Sequence, residues 1–377
     1  VTQYPGLFST AIAFLLVIGP LIFLHELGHY LVGRWFGVRA DAFSIGFGRE
    51  IFGITDRRGT RWKFGWLPLG GYVRFAGDMN PASQPSAEWL ALPAEERNQT
   101  FQSKSVWQRA AIVAAGPIAN FLIALVILGG FAVAHGEPRT PAVVDQVVAQ
   151  SAADRAGLRA GDRVLSVNGR AVDTFGDLAR YVVARPDEQV SLDVAREGAT
   201  LNLPLAIGAR IERDRFGNEY RLGVLGVRSA QPVIVPVSLI EAPVVAFRQT
   251  GAILRMMVDG LGQIITGRRP VSEMGGPLKI AQISGEQMAG GLTAFVGFIA
   301  IISINLGFIN LLPVPMLDGG HLFFYALEAI RRRPVEARVQ EWAYRSGLLV
   351  LLSLMLLVTF NDLSSFGLWR GLAGLIG

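Results

Sequence analysis

Residues 25–29 read His-Glu-Leu-Gly-His, an H-E-x-x-H spacing. On a helix, residues four apart share a face, so His25 and His29 can offer two neutral imidazoles to one Zn²⁺. Glu26 lies one residue round, close enough to act on a water held by that ion. A metal so bound lowers the pKa of its water towards 7, and the carboxylate takes the proton. The location adds weight to the pattern. It interrupts an apolar run from about residue 7 to 32, where ionisable groups are costly and usually functional.

A catalytic zinc needs a third protein ligand and one open position. The chain holds four histidines and no cysteine. Thiolate sites, disulfide frameworks and cysteine nucleophiles are therefore excluded. His135 follows the second apolar run and is expected a bilayer's thickness from the motif. Asp318 and His321 stand together in the late segment Asn310–His321. Pro313 and Pro315 must interrupt a helix there, and the freed backbone can fold back to present Asp318. The same residue could instead cap a helix over 322–330. A carboxylate completes common catalytic zinc sites, which favours Asp318 over His321.

The elements that must position these groups are long and apolar. Of 377 residues, 51% are hydrophobic and only 17% charged, which excludes a disordered chain and argues against a purely soluble globule. Four runs approach the roughly 20 residues that cross a bilayer: about 7–32, 110–134, 292–312 and 347–360. The last is short, and is expected to extend back over 342–346, to tilt or to re-enter. Nothing basic precedes Arg34, so the first run reads as a retained span rather than a signal peptide.

Charge sets the orientation. Ten Lys and Arg lie between Arg34 and Lys104, and Arg331, Arg332, Arg333 and Arg338 lie between the third and fourth runs. Both loops are expected on the cytoplasmic side. The termini and the segment 135–291 then fall outside. The net charge of +5 is explained by these loops, and nucleic acid is not an expected partner. Gly275-Gly-Pro is a turn with no phosphate-loop register.

Within the first loop, aromatic and β-branched runs over 43–54 and 60–75 flank a Gly-containing turn, which predicts a membrane-associated β-hairpin. Residues 78–104 read as a polar surface loop. The outer segment holds short alternating runs at 142–144, 163–167 and 190–194, a helix near 177–184, and a further hairpin around 214–218. A helical period over 242–265 predicts an amphipathic helix lying on the membrane or on the module. Gly116 and Asn120, in the second run, favour close helix packing, with a hydrogen bond near the site as the alternative.

Taken together, His25–His29, Asn310–Gly320, Leu67–Phe75, Ala115–Phe121 and Gly276–Ala281 resemble the site-2 protease family of intramembrane zinc metalloproteases. Within it they resemble the bacterial regulator of sigma E protease type, over nearly the whole chain. The segment Ala156–Gly169 resembles the recurrent signature of bacterial PDZ domains, and it occurs once. The resemblance implies that His25, His29 and Asp318 ligate one Zn²⁺ per chain and that Glu26 is the general base. It implies that Asn310 holds substrate or the developing oxyanion. It also implies that the strand through Gly70, Gly71, Tyr72 and Val73 pairs with an unwound substrate.

The implied fold is an α-helical membrane protein with about four transmembrane helices, a membrane-associated β-hairpin and an extracytoplasmic PDZ-like α/β module. The expected division is 1–36 (first span), 37–106 (hairpin and loop), 107–134 (second span), 135–230 (PDZ-like domain), 231–291 (amphipathic helix region), 292–330 (third span) and 331–377 (basic loop and fourth span). The implied activity is cleavage of single-span membrane proteins in the bacterial inner membrane. Substrates would be anti-sigma factors already cut outside, or signal-peptide remnants, with a peptide ligand for the PDZ-like module. The alternative is a non-enzymatic PDZ-containing adaptor. A lost ligand or base would support that alternative, and none is lost. A metal transporter would call for a repeat relating the halves, and none is seen.

Overall fold

The computed structural model describes residues 6–77, 92–213, 219–267 and 275–365. These form two compact units. One comprises residues up to 128, 246–262 and 275–365; the other comprises 129–245 and 263–267, within the described residues.

In the first unit, α1 (Leu7–Trp35) carries the histidine motif and ends at Phe36. The hairpin follows as β1 (Ala40–Thr55) and β2 (Arg61–Phe75). Its turn is held by Asp56, whose carboxylate accepts from the backbone N–H of Arg58 at 2.8 Å and Thr60 at 3.0 Å and from the Trp62 indole at 2.9 Å. The hairpin bends back on itself. Ala42–Ile45 pair antiparallel with Gly71–Arg74 on one side. On the other side the same four residues are matched to Arg61–Phe64 with both numbers rising together, and Phe52–Thr55 pair with Arg61–Phe64 beyond them. Gly46 and Gly48, at φ 85° and 83°, supply the left-handed residues at which β1 turns; these suit glycine because it has no Cβ. The segment 71–75 is thereby left at a sheet edge.

A short helix α2 (Ala94–Asn98) precedes α3 (Val106–His135), which continues into the second unit. Tyr30, Val38, Phe43, Phe75, Phe101, Ile112 and Tyr325 form a buried cluster that joins α1, the hairpin and α3 to the late helices.

The second unit is an α/β module. It contains β3 (Glu137–Arg139), β4 (Val144–Val147), α4 (Ala152–Arg155), β5 (Arg163–Val167), β6 (Arg170–Ala171) and α5 (Phe175–Val183). Then come β7 (Gln189–Arg196), β8 (Ala199–Ala206), β9 (Gly208–Arg213), β10 (Glu219–Val224), β11 (Val227–Ser229) and β12 (Val233–Val235). Strands β6-β5-β7-β8 form one sheet, and β9 pairs with β10. The turn expected at 214–218 lies outside the described residues. Alternate residues of β7, Val190, Leu192 and Val194, point into a core with Val164, Val167, Leu178 and Val182. Helix α5 starts in a capping box of Thr174 and Asp177, which satisfies backbone N–H groups that would otherwise be orphaned.

Asp162 anchors this module. Its carboxylate accepts from Arg196 Nε and Nη2 at 2.7 and 2.6 Å and from the backbone N–H of Arg159 at 2.8 Å. Burial alone would raise its pKa, but the Arg196 guanidinium and the Arg159 N–H hold it below the usual carboxylate range. A carboxyl depressed on folding stabilises the native state above its unfolded pKa of about 4, and that contribution fades as pH falls through the folded value. Arg196→Met is therefore expected to lower the module's unfolding temperature at pH 7, with a penalty that shrinks below about pH 4 as Asp162 is protonated. Melts of the full chain across pH, with the module's own transition followed, check this.

Helix α6 (Ala242–Ile265) has the predicted bounds. Its packed side near the start is Ala242 and Val245, against Ala132 and Val237. Val244, Phe247, Met256, Val258 and Ile265 are exposed. Of the apolar stripe read from the sequence, Val244, Phe247, Val258 and Ile265 are thus uncovered, and Leu254 and Leu261 are half-buried.

The first unit continues with four helices among its described residues: α7 (Pro277–Ala289), α8 (Leu292–Leu311), α9 (Asp318–Arg331) and α10 (Ala337–Ser365). Asp362 of α10 accepts from the backbone N–H of Gly276 and Lys279, both at 3.1 Å, and so caps α7 from another helix. The fourth apolar run is therefore part of a continuous 29-residue helix that extends back past Trp342. Among the described residues, four helices, α1, α3, α8 and α10, are long and apolar enough to cross a membrane.

Candidate metal centre

Three elements converge on His25 and His29. The first is α1 itself, which places both rings on one face with their planes nearly perpendicular and centroids 4.8 Å apart. The second is α3, which approaches through glycine. A Cβ added at Gly116 would stand 2.2 Å from His29 Nε2 and 2.8 Å from His25 Nε2. The cavity between the rings thus exists because residue 116 has no side chain.

The third element is the start of α9. Helix α8 stops at Leu311, and Leu312 is already extended. Pro313 and Pro315 cannot continue it, and Met316 adopts φ 81°, a strained value for a side-chain-bearing residue. The chain reverses within six residues. Gly319 and Gly320 let α9 begin hard against the turn, since a Cβ on either would lie within 2.5 Å of the carbonyl of Leu312 or Val314. Leu317 occupies the cap position and Asp318 is the first helical residue. The Asp318 carboxylate faces the histidines. A partly buried ion pair, Arg109 to Glu328 at 2.8 Å, ties α9 to α3, with the same guanidinium 4.9 Å from the Tyr325 ring centroid.

His25 Nε2 stands 3.2 Å from Asp318 Oδ2, His29 Nε2 stands 3.6 Å from Asp318 Oδ1, and the two Nε2 atoms are 3.2 Å apart. Tetrahedral zinc with bonds of about 2.0–2.2 Å spaces its ligand atoms about 3.3–3.6 Å apart. These separations, the two to Asp318 running to different oxygens of its carboxylate, lie near that figure, and a donor set of two imidazoles and a carboxylate leaves one position open.

Glu26 is buried beside this group. The backbone amide of Val73 interacts with its carboxylate. A Cβ on Gly71 would meet Glu26 Cγ and Ile22 Cγ2 at 2.9 Å each. Gly70, Gly71, Tyr72 and Val73 therefore run along the sheet edge past Glu26. Asn310 lies half-buried in the last turn of α8.

Two histidines are placed elsewhere. His321 Nδ1 is 2.8 Å from the Tyr344 hydroxyl, linking α9 to α10, and it is not part of the cluster. His135 closes α3 with its ring edge-on to Phe131. Behind the candidate ligands, the sequence reading offered Asn120 only as an alternative to packing and did not offer the Ile112 carbonyl. His29 Nδ1 is 2.9 Å from the carbonyl of Ile112, and His25 Nδ1 is 3.0 Å from the Asn120 side-chain amide. Asn120, for which packing was the default expectation, is fully buried against a candidate ligand.

The model of peptidase family M50 matches residues 13–354. The chain belongs to peptidase family M50. A relative in Agrobacterium fabrum, named as a zinc metalloprotease, is 44% identical over 359 residues, covering 94% of this chain and 95% of its own. Another in Rhizobium meliloti, similarly named, is 43% identical over 356 residues, covering 93% and 95%. Metalloprotease MmpA of Caulobacter vibrioides is 35% identical over 394 residues, covering 98% and 99%. This M50 chain is a zinc metalloprotease with the apolar helices of a multi-pass membrane protein. A solved PDZ domain from Listeria monocytogenes aligns with 25% of the chain at 16% identity, and its TM-score of 0.19 is too low to assign the module's fold.

Proposed function

We propose that this protein is an intramembrane endopeptidase of the site-2 type, holding one zinc per chain on His25, His29 and Asp318. The observation that carries the reading is that His25, Glu26 and His29 lie within α1, a helix apolar enough to span a bilayer, and that Asp318 at the start of α9 meets them there. Zinc there supplies Lewis acidity to the scissile carbonyl and to the attacking water.

The chain's own residues do the rest. The Glu26 carboxylate takes a proton from the water and delivers it to the leaving amine. The edge strand at Gly70–Val73 offers main-chain hydrogen bonds to an extended peptide. That need is physical, because a helical substrate hides its scissile carbonyl in its own hydrogen bonds. Asn310 steadies the bound strand or the oxyanion.

Depth supports the membrane setting. Trp35, Trp107 and Trp342 are each more than 70% exposed and lie at the ends of α1, α3 and α10 that charge assigns to the cytoplasm. Exposed tryptophans collect at the membrane interface. Counting about 1.5 Å per residue along α1, His29 lies about 9 Å and His25 about 15 Å from Trp35. With that end of α1 at the cytoplasmic interface, the centre would lie within a hydrocarbon layer of about 30 Å, nearer its cytoplasmic face.

The setting is the bacterial inner membrane, with the α/β module outside. That module is PDZ-like and either docks or filters substrates. The substrates are single-span proteins, anti-sigma factors after a first outside cut among them, which makes the reaction a step of regulated proteolysis in a stress response. Mapping by mass spectrometry the bond cut in a reconstituted single-span reporter tests this reading. A cut within the reporter's apolar segment is expected, and a cut only in its soluble flanks would contradict it.

A further inference from the structure

His25 can bind a metal through Nε2 only if that nitrogen carries its lone pair. In a neutral imidazole the proton must then sit on Nδ1. For His29 the partner decides the matter. The Ile112 carbonyl, 2.9 Å from Nδ1, can only accept, so Nδ1 carries the proton and Nε2 faces Asp318 with its lone pair. For His25 the partner is an amide, which can present either a donor or an acceptor.

As placed, Asn120 turns Nδ2 toward His25 Nδ1 at 3.0 Å, and its own Oδ1 is buried without a hydrogen-bond partner. That orientation would require the proton on His25 Nε2, between Asp318 Oδ2 and His29 Nε2 at 3.2 Å each, where a ligand needs a lone pair. Rotation of the amide by 180° keeps its shape and exchanges the two atoms, which are nearly indistinguishable by form. The oxygen then faces Nδ1–H, and the amide nitrogen takes the position in which Oδ1 had no partner, so the lone pair that a metal needs on Nε2 decides between the two orientations.

The residue is well held for such a task. Asn120 is fully buried on α3, and its backbone carbonyl accepts from the hydroxyl of buried Ser303 on α8 at 2.7 Å. A chain of contacts thus runs from α8 through α3 to the ring on α1.

We infer that Asn120 is a positioning residue for His25: its side-chain oxygen accepts from Nδ1–H and fixes Nε2 as the nitrogen offered to the metal. The inference rests on the metal-binding reading of this site given above. Partners of this kind orient metal-bound imidazoles, and their loss typically weakens metal binding about 10–100-fold.

The test uses the full chain in detergent and measures zinc affinity by competition with a chromophoric chelator. Asn120→Leu is expected to weaken zinc binding at least about 10-fold. Asn120→Asp keeps the shape and can only accept, so it is expected to bind zinc as tightly as the wild type or more so. Zinc binding by Asn120→Leu equal to that of the wild type would overturn the assignment. So would an Asn120→Asp variant as weak as Asn120→Leu.

A second measurement does not depend on any variant folding. In the zinc-loaded wild type labelled with ¹⁵N-histidine, His25 Nδ1 is expected to carry the directly bonded proton. A proton on Nε2 there contradicts the inference. A wild type that takes up no zinc removes the metal-binding reading along with this one, whereas a zinc-binding wild type whose variants follow the contrary pattern removes only the role of Asn120.

Discussion

Gly116→Ala should strip the protein of zinc and of proteolysis while leaving it folded. The added methyl would stand 2.2 Å from His29 Nε2, 2.6 Å from His29 Cε1 and 2.8 Å from His25 Nε2. No carbon sits that close to a ring nitrogen, so one or both imidazoles must leave the ligand geometry. The helix itself does not suffer, since alanine is the better helix former by about 1 kcal/mol. A fall in zinc affinity of about 100-fold or more is expected, since displacing a ligand should cost at least as much as the roughly 10–100-fold that follows loss of a ligand's outer partner. Gly130→Ala is the control. It lies on the same helix with no atom within 4 Å of the new methyl, and it should keep zinc and activity. Retention of full zinc affinity by Gly116→Ala would mean that the rings do not enclose the metal as drawn.

Gly71→Ala should give the complementary result, with zinc retained and cleavage lost. Its methyl would meet Glu26 Cγ and Ile22 Cγ2 at 2.9 Å and the Ser44 carbonyl at 2.8 Å. The Ser44 carbonyl belongs to the paired strand and cannot easily yield, so the strain falls on the Glu26 side chain and on the strand edge. Neither carries a metal ligand. A displacement of this order at the proton-carrying group typically costs about 100-fold in rate. Assays of zinc content and reporter cleavage on the two glycine variants therefore separate the metal pocket from the proton carrier. A Gly71→Ala protein that lost zinc together with activity would show that the strand supports the ligands rather than Glu26.

What could be read beforehand was local in sequence. The H-E-x-x-H spacing defines one helix face, and the two prolines after Asn310 announce that the helix must break before Asp318. The apolar runs gave the spans to within a few residues, except in α10, where charged and polar residues from Arg338 to Ser346 hide the first turns of a continuous helix.

What could not be read depends on chain segments meeting across long separations. Asn120 contacts a ring 95 positions away; its place in an apolar run left packing as the default and a hydrogen bond near the site as the alternative, and only the fold decides between them. Gly116 looked like a small residue for helix approach; that it leaves room between the two imidazoles depends on where α1 lies. The hairpin was visible from its alternating strands. Its fold back into a sheet with an edge at Gly71–Phe75 depends on bends at Gly46 and Gly48, which composition does not fix. The exposed stripe of α6 was predicted as a stripe, but only packing shows that Ala242 and Val245 are covered and Phe247 is not.

The central claim is that a zinc held by His25, His29 and Asp318 and a proton carried by Glu26 cut peptide bonds. Its most direct test is cleavage of a single-span reporter in reconstituted membranes by the wild type and by Glu26→Gln, with zinc measured in the same samples. Glutamine keeps the shape of the side chain and cannot take up the proton. The account expects about one zinc per chain in both proteins, and cleavage by the wild type alone. Equal cleavage by Glu26→Gln, or a wild type that holds no zinc when metal is supplied, would contradict it.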